Sequence, residues 1–138
     1  MAYNPLQHLN VLVVEDQDVA QTMLVMVLKT IGIENIELTA NGVEGIAVLE
    51  AAKQTFDVII CDIHMPEMDG YKFVRQIRLG AVDGYQEIPV LILTGDDSDA
   101  NAQSAKVHRL DTFVTKPANA ESIRHHILHA LGLQEASG

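Results

Sequence analysis

Short apolar runs alternate along this chain with longer stretches of helical periodicity, and few folds accept that alternation. The runs place strands over 10–14, 35–39, 57–61, 89–93 and 111–115. The intervening periodicity places helices over 17–31, 42–53, 69–79, 98–108 and 119–131. Strand and helix in strict turn predict βαβ units, hence an α/β fold whose parallel sheet is covered by helices on both faces. Val11-Leu12-Val13-Val14, Val58-Ile59-Ile60-Cys61 and Val90-Leu91-Ile92-Leu93 are continuously apolar, as central strands buried on both sides must be. Ile36-Glu37-Leu38-Thr39 and Asp111-Thr112-Phe113-Val114 are mixed, which suits the two edges. A flavodoxin-like, doubly wound (βα)5 sheet of order 2-1-3-4-5 satisfies this pattern, and right-handed crossovers assign each helix to a face.

Local signals agree. Gly32 follows Thr30-Ile31 as a helix stop. Leu24, Leu28 and Ile31 share one helix face, as do Ile123, Ile127, Leu128 and Leu131 in the last helix. Asn119 suits that helix's N-cap, and Pro66 and Asp69-Gly70 punctuate the segment after Asp62. With 138 residues, 48% of them hydrophobic, the chain suits one domain with a proper core. That single domain spans 1–138, with its core over about 10–131 and a short fraying tail at 134–138. One cysteine allows no internal disulfide. The leader Met1-Ala2-Tyr3-Asn4-Pro5 lacks signal-peptide character, and no apolar run approaches the ~20 residues of a membrane helix. The expectation is a cytoplasmic protein without membrane contact. A formal charge of -10, from 19 acidic and 9 basic residues, argues against direct binding to nucleic acid.

The strand ends carry the chemistry. The first run ends at Glu15-Asp16, the third at Asp62, the fourth at Thr94 and the fifth at Lys116-Pro117. In an open parallel sheet these ends gather near the point where strand order reverses. Each residue alone has a plain structural role. Glu15 and Asp16 would suit a helix N-terminus, Asp62 a turn, Thr94 a strand end, and Lys116 a solvated surface. Together they differ. Two carboxylates 4 Å apart repel by up to ~4 kcal/mol at an effective dielectric of ~20, and a divalent cation removes that penalty. Hard oxygen donors of this kind suit Mg²⁺, which keeps several waters and takes one or two carboxylates plus phosphate oxygens. A carboxylate can also act as a nucleophile and form an acyl phosphate. Lys116 would then clamp phosphate charge.

Glu15-Asp16, Asp62 with Met65-Pro66-Glu67-Met68-Asp69-Gly70, Thr94-Gly95 and Lys116-Pro117 resemble the receiver domain of two-component response regulators, over a span from about Asn10 to Leu131. The resemblance implies that Asp62 is the phosphoacceptor, taking a phosphoryl group from a phosphohistidine on a sensor histidine kinase or histidine phosphotransfer protein. It implies Mg²⁺ (or Mn²⁺) bound by Asp16, Asp62 and the backbone carbonyl of His64, with Glu15 acting through water. Lys116 and Thr94 would contact the phosphoryl group, and Phe113 would turn inward as a switch when Thr94 moves. The Lys116–Pro117 bond would be cis. The readout would be the face built from the fourth helix, fifth strand and fifth helix, acting on a downstream protein target, with the chain a monomer or weak homodimer. Catalysis would be limited to the chain's own phosphorylation and slow dephosphorylation.

Three departures stand out. Phe113 replaces the commoner tyrosine, Glu15 the commoner aspartate, and Arg109 a glycine before the fifth strand, at a cost of about 1 kcal/mol if that backbone needs positive φ. His64 and Asp96 each lie two residues beyond a site residue, where relatives tune acyl-phosphate lifetime. A receiver cut from a longer hybrid kinase or regulator is the main alternative; the natural leader at Met1 favours a stand-alone receiver. An aspartyl-nucleophile phosphatase would want a second Asp where His64 stands, and a cap domain. A flavodoxin would want a hydroxyl- and glycine-rich loop where Glu15-Asp16-Gln17-Asp18 stands. His125 and His129 are spaced i,i+4, as in helical metal chelates. No third ligand is apparent, and with His126 they are expected on the exposed side of the last helix. Cys61 is expected to be a small buried residue, and Met23 and Met26 to be partly exposed.

Overall fold

The computed structural model describes residues 4–63, 68–94, 112–115 and 119–133, with the backbone alone at Thr94 and 112–115. Five parallel strands, β1 (Asn10–Val14), β2 (Asn35–Thr39), β3 (Val58–Asp62), β4 (Val90–Thr94) and β5 (Thr112–Thr115), form one sheet in the order β2-β1-β3-β4-β5. This is the expected doubly wound order, with the two mixed strands at the edges. Among the described residues three helices lie between strands: α1 (Asp18–Thr30), α2 (Gly42–Ala51) and α3 (Gly70–Arg78). A C-terminal helix, Ala120–Ala130, follows β5. The expected helix over 98–108, Arg109 and the Lys116–Pro117 bond lie outside the described residues.

Strand alternation splits the core in two. Val11, Val13, Val58, Ile60, Leu91 and Leu93 pack with Leu24 and Leu28 of α1 and with Ile123, Ile127 and Leu128 of the C-terminal helix. Leu12, Val14, Ile59, Cys61, Val90 and Ile92 pack on the other face with Leu49 of α2 and Phe73, Val74 and Ile77 of α3. Helix α2 comes close to α3 through glycine: a Cβ on Gly45 would stand 2.9 Å from the Phe73 ring.

The ends of the elements have identifiable causes. Asn41, Asp69 and Asn119 cap α2, α3 and the C-terminal helix, each accepting the backbone N–H three residues on, at 2.9, 2.9 and 2.8 Å. Helix α2 stops at Ala51, short of the expected 53, because Ala52 turns extended with ψ 136°. Strand β3 runs over 58–62 instead of 57–61. Asp57 is used before the ladder, where its carboxylate accepts the Asn10 N–H at 2.8 Å. At the other end, Asp62 pairs with Leu93 and Ile63 N–H still reaches the Leu93 carbonyl. Met23 and Met26 are exposed, at 59% and 63%.

Helix α1 ends as expected at Gly32, with φ of +100°. Gly32 N–H bonds the Lys29 carbonyl and Ile33 N–H the Leu28 carbonyl, the 5→2 and 6→1 pair of a Schellman turn. A Cβ there would also strike the Asn4 side chain. Gly32→Ala should therefore cost about 1–2 kcal/mol, the left-handed penalty of an L-residue, read as a lower urea midpoint at unchanged slope; an unchanged midpoint would contradict this account of the helix stop.

Candidate functional site

Strand β1 lies between β2 and β3, with Val14 beside Thr39 on one side and Cys61 on the other. The residues just past Val14 therefore come out next to the end of β3. Glu15 is 1% exposed and Asp62 4% exposed, with Asp16 half-buried beside them. Each offers a carboxylate oxygen, and these three oxygens all lie within 4.8 Å of one another. The expected convergence of carboxylates distant in the chain is thus present at the carboxyl edge of the sheet, where strand order reverses.

Backbone N–H groups orient two of the acids and a side-chain amide the third. Asp62 Oδ1 accepts the N–H of Ile63 at 2.9 Å. Glu15 Oε2 accepts the N–H of Gln17 at 3.2 Å, and the Glu15 N–H is held by the Thr39 carbonyl at 3.0 Å. Asp16 Oδ2 accepts from the Gln17 amide at 3.3 Å. Asp16 Oδ1 is buried and finds no hydrogen-bond donor among the described residues. A buried polar atom without a partner costs about 1–3 kcal/mol, and more where it carries charge. A cation would remove it. Three hard oxygen donors, one of them orphaned, fit Mg²⁺ or Mn²⁺.

Strand β4 ends on Thr94, whose backbone pairs with Thr115 of β5. Lys116 follows Thr115 directly in the chain but lies outside the described residues, as do His64 and Asp96. Phe113 pairs with Ile92 through the backbone.

The structure adds residues that sequence reasoning did not single out. Thr39, 3% exposed, donates its hydroxyl to the Val13 carbonyl at 2.9 Å. The Gln21 amide, from the first turns of α1, donates to the carbonyls of Glu15 and Thr39. Together they tie the β1–α1 turn to the end of β2. Thr39 ends the one strand that carried no site residue in the sequence reading, and its position at a strand end was the available signal. Gly70, read from the sequence as turn punctuation, has a further role here. Its N–H bonds the Ile63 carbonyl at 2.9 Å, and a Cβ there would stand 2.6 Å from the Asp62 carbonyl oxygen and 3.0 Å from Ile63 Cα. Only a residue without a side chain lets α3 begin this close to the acid.

Cys61 is fully buried, as expected, with its thiol against the Asp62 carbonyl at 3.2 Å. Burial raises its pKa well above the ordinary value, and the charges of Asp62, Glu15 and Asp69 raise it further.

The sequence model of the response regulator receiver domain family matches residues 11–128. Two-component system protein A of Emericella nidulans is 29% identical over 114 residues, covering 83% of this chain but only 16% of that protein. The chain therefore corresponds to a small part of that relative's length. Chemotaxis protein CheY4 of Vibrio cholerae superposes with a TM-score of 0.79 at 32% identity, over 89% of this chain and 98% of that one. The receiver domain of sensor histidine kinase PA1611 from Pseudomonas aeruginosa superposes with a TM-score of 0.77 at 25% identity, over 90% and 98% of the two chains. That structure has a magnesium ion coordinated in its active-site cleft.

A thiol held neutral beside three acids should resist alkylation. Native protein at pH 8 should leave Cys61 unmodified by a thiol reagent, and urea should expose it to full reaction. The raised value also fixes a sign: above the ordinary thiol range unfolding releases a proton, so stability should fall as pH rises from there. Rapid labelling of the folded chain would contradict both statements.

Proposed function

This chain belongs to the response regulator receiver domain family, and we propose that Asp62 is its phosphoacceptor within a two-component or phosphorelay pathway. The donor is a phosphohistidine on a sensor histidine kinase or a histidine phosphotransfer protein. An Asp62 carboxylate oxygen forms a bond to phosphorus as the phosphorus–nitrogen bond to the donor imidazole breaks and the imidazole takes one proton from solvent, which leaves an aspartyl phosphate and a neutral donor histidine. The observation that carries this reading is the Glu15, Asp16 and Asp62 cluster, with ligand oxygens within 4.8 Å and one Asp16 oxygen buried without a donor among the described residues.

The roles follow from chemistry. Asp16 and Asp62 hold Mg²⁺ or Mn²⁺ together with the His64 carbonyl, and Glu15 acts through water. When bound, the ion offsets charge on the phosphoryl oxygens and the carboxylates. The Ile63 N–H fixes the rotation of the Asp62 carboxylate, so the nucleophile is oriented before the donor arrives. Thr94 and Lys116, at the ends of paired strands, bind the phosphoryl oxygens; Phe113, between them in the chain and on the same strand pair, answers the movement of Thr94. The output is a change of the face around β5 and the C-terminal helix, read by another protein. His64 and Asp96 set the lifetime by steering the attacking water. Among the described residues no helix is long and apolar enough to cross a membrane.

A second reading is that the chain works as the receiver segment of a longer kinase or regulator. The 16% share of the Emericella nidulans relative favours it. It uses the same site and differs only in whether the output is covalently attached.

Acetyl phosphate with Mg²⁺ should add one phosphate to the intact mass of the chain, and Asp62→Asn should abolish the gain. Asp16→Ala should raise the Mg²⁺ needed for half-reaction by about tenfold or more, the loss of roughly 1.4 kcal/mol of ion binding. Phosphorylation of Asp62→Asn at the wild-type rate would refute the assignment. His64→Ala and Asp96→Ala should change the dephosphorylation rate; unchanged rates in both would remove their role in lifetime.

A further inference from the structure

A cluster of titratable groups lies apart from the acidic site, on the C-terminal helix, where three histidines stand within five residues. His125 and His129 are exposed and one turn apart, and His126 is partly buried. The rings of His125 and His129 stack, with centroids 6.5 Å apart and planes 15° from parallel. His126 meets His125 edge-on at 5.6 Å and 68°. Neither His125 nor His129 has a hydrogen-bond or ion-pair partner among the described residues. We propose that His125 and His129 form a chelating pair for a borderline divalent transition-metal ion, Zn²⁺ or Ni²⁺, on the exposed face of this helix.

The argument rests on geometry and donor type. Residues four apart on a helix have Cβ atoms about 5–6 Å apart, within reach of one ion by two imidazoles. Neutral imidazole is the commonest metal ligand and suits Zn, Cu and Ni. Ring nitrogens without a hydrogen bond among the described residues need give none up there to bind, and solvent supplies the remaining ligands. The helix that carries them is fixed. Ile123, Ile127 and Leu128 are buried on its other side, and the N–H of Gly132 closes on the His129 carbonyl. The pair is thus held in place before an ion arrives, which lowers the ordering cost of binding. Glu121, exposed one turn before His125, adds negative charge to the approach. Burial first, then the charges of His125 and His129, lowers the pKa of His126. The two sites differ in hardness, carboxylate oxygens at the sheet edge against imidazole nitrogens here, so they select different ions.

The test is calorimetric titration of the full chain with Ni²⁺ and with Zn²⁺, with Mg²⁺ at saturating concentration to fill the acidic site. One ion per chain is expected, with affinity lower by about tenfold or more in His125→Ala and in His129→Ala, and close to wild type in His126→Ala. The ion should raise the thermal midpoint of wild type and of His126→Ala, and leave the other two variants unmoved. Circular dichroism checks that each variant is folded. No binding, equal affinity in wild type and His129→Ala, or one ion shared between two chains in sedimentation would overturn the chelate.

Discussion

Glu15, Asp16 and Asp62 are forced together by two strands that have no freedom to separate. Val11 to Val14 and Val58 to Cys61 are all fully buried and lie side by side in register. Each large apolar side chain among them contributes roughly 1.5–3 kcal/mol by leaving water. The acids beyond them repel by at most ~4 kcal/mol for a pair at 4 Å and an effective dielectric of ~20. Burial wins, and the repulsion is stored at the sheet edge instead of being relieved by movement. The chemical character of the edge follows: three carboxylate oxygens close enough to share one cation, a carboxylate with fixed rotation, and a neighbouring thiol that stays protonated.

The same arrangement explains why so few residues are needed. The backbone does most of the orienting, through Ile63 N–H on Asp62, Gln17 N–H on Glu15 and the Thr39 carbonyl on the Glu15 N–H. Thr39 and Gln21 brace the β1–α1 turn from the side of β2. The acids are thus held on strands that stay fixed, which is what a phosphoryl-driven switch requires of its rigid half.

Much of this was legible in the residues before any coordinates. Continuous apolar runs marked β1, β3 and β4 as central because a strand covered on both faces has no place for polar side chains. Gly32 and Asn119 announced helix ends through local chemistry alone. The acids at 15, 16 and 62 were legible as a group because strand ends on one rim must meet once the order 2-1-3-4-5 holds. The bracing by Gln21 and Thr39 was not, since those bonds span 18 and 26 residues and depend on the register of β2 against β1. The one-residue displacement of β3 was equally hidden. At that end the Asp57 carboxylate accepts the Asn10 N–H while the Asp57 N–H bonds the Asn10 carbonyl. Gly70 looked like turn punctuation, and its real constraint, the nearness of the Asp62 carbonyl, is a tertiary contact.

That contact has a mechanical meaning. Where the backbone of β3 at Asp62 touches the opening turn of α3 with no side chain between them, there is nothing compressible in the joint. A shift of the acid along the strand axis pushes directly on a helix that its own Phe73, Val74 and Ile77 seat on the sheet. The helix must move as a lever or the acid must stay put. Asp62 is thereby the fixed anvil of the acidic cluster.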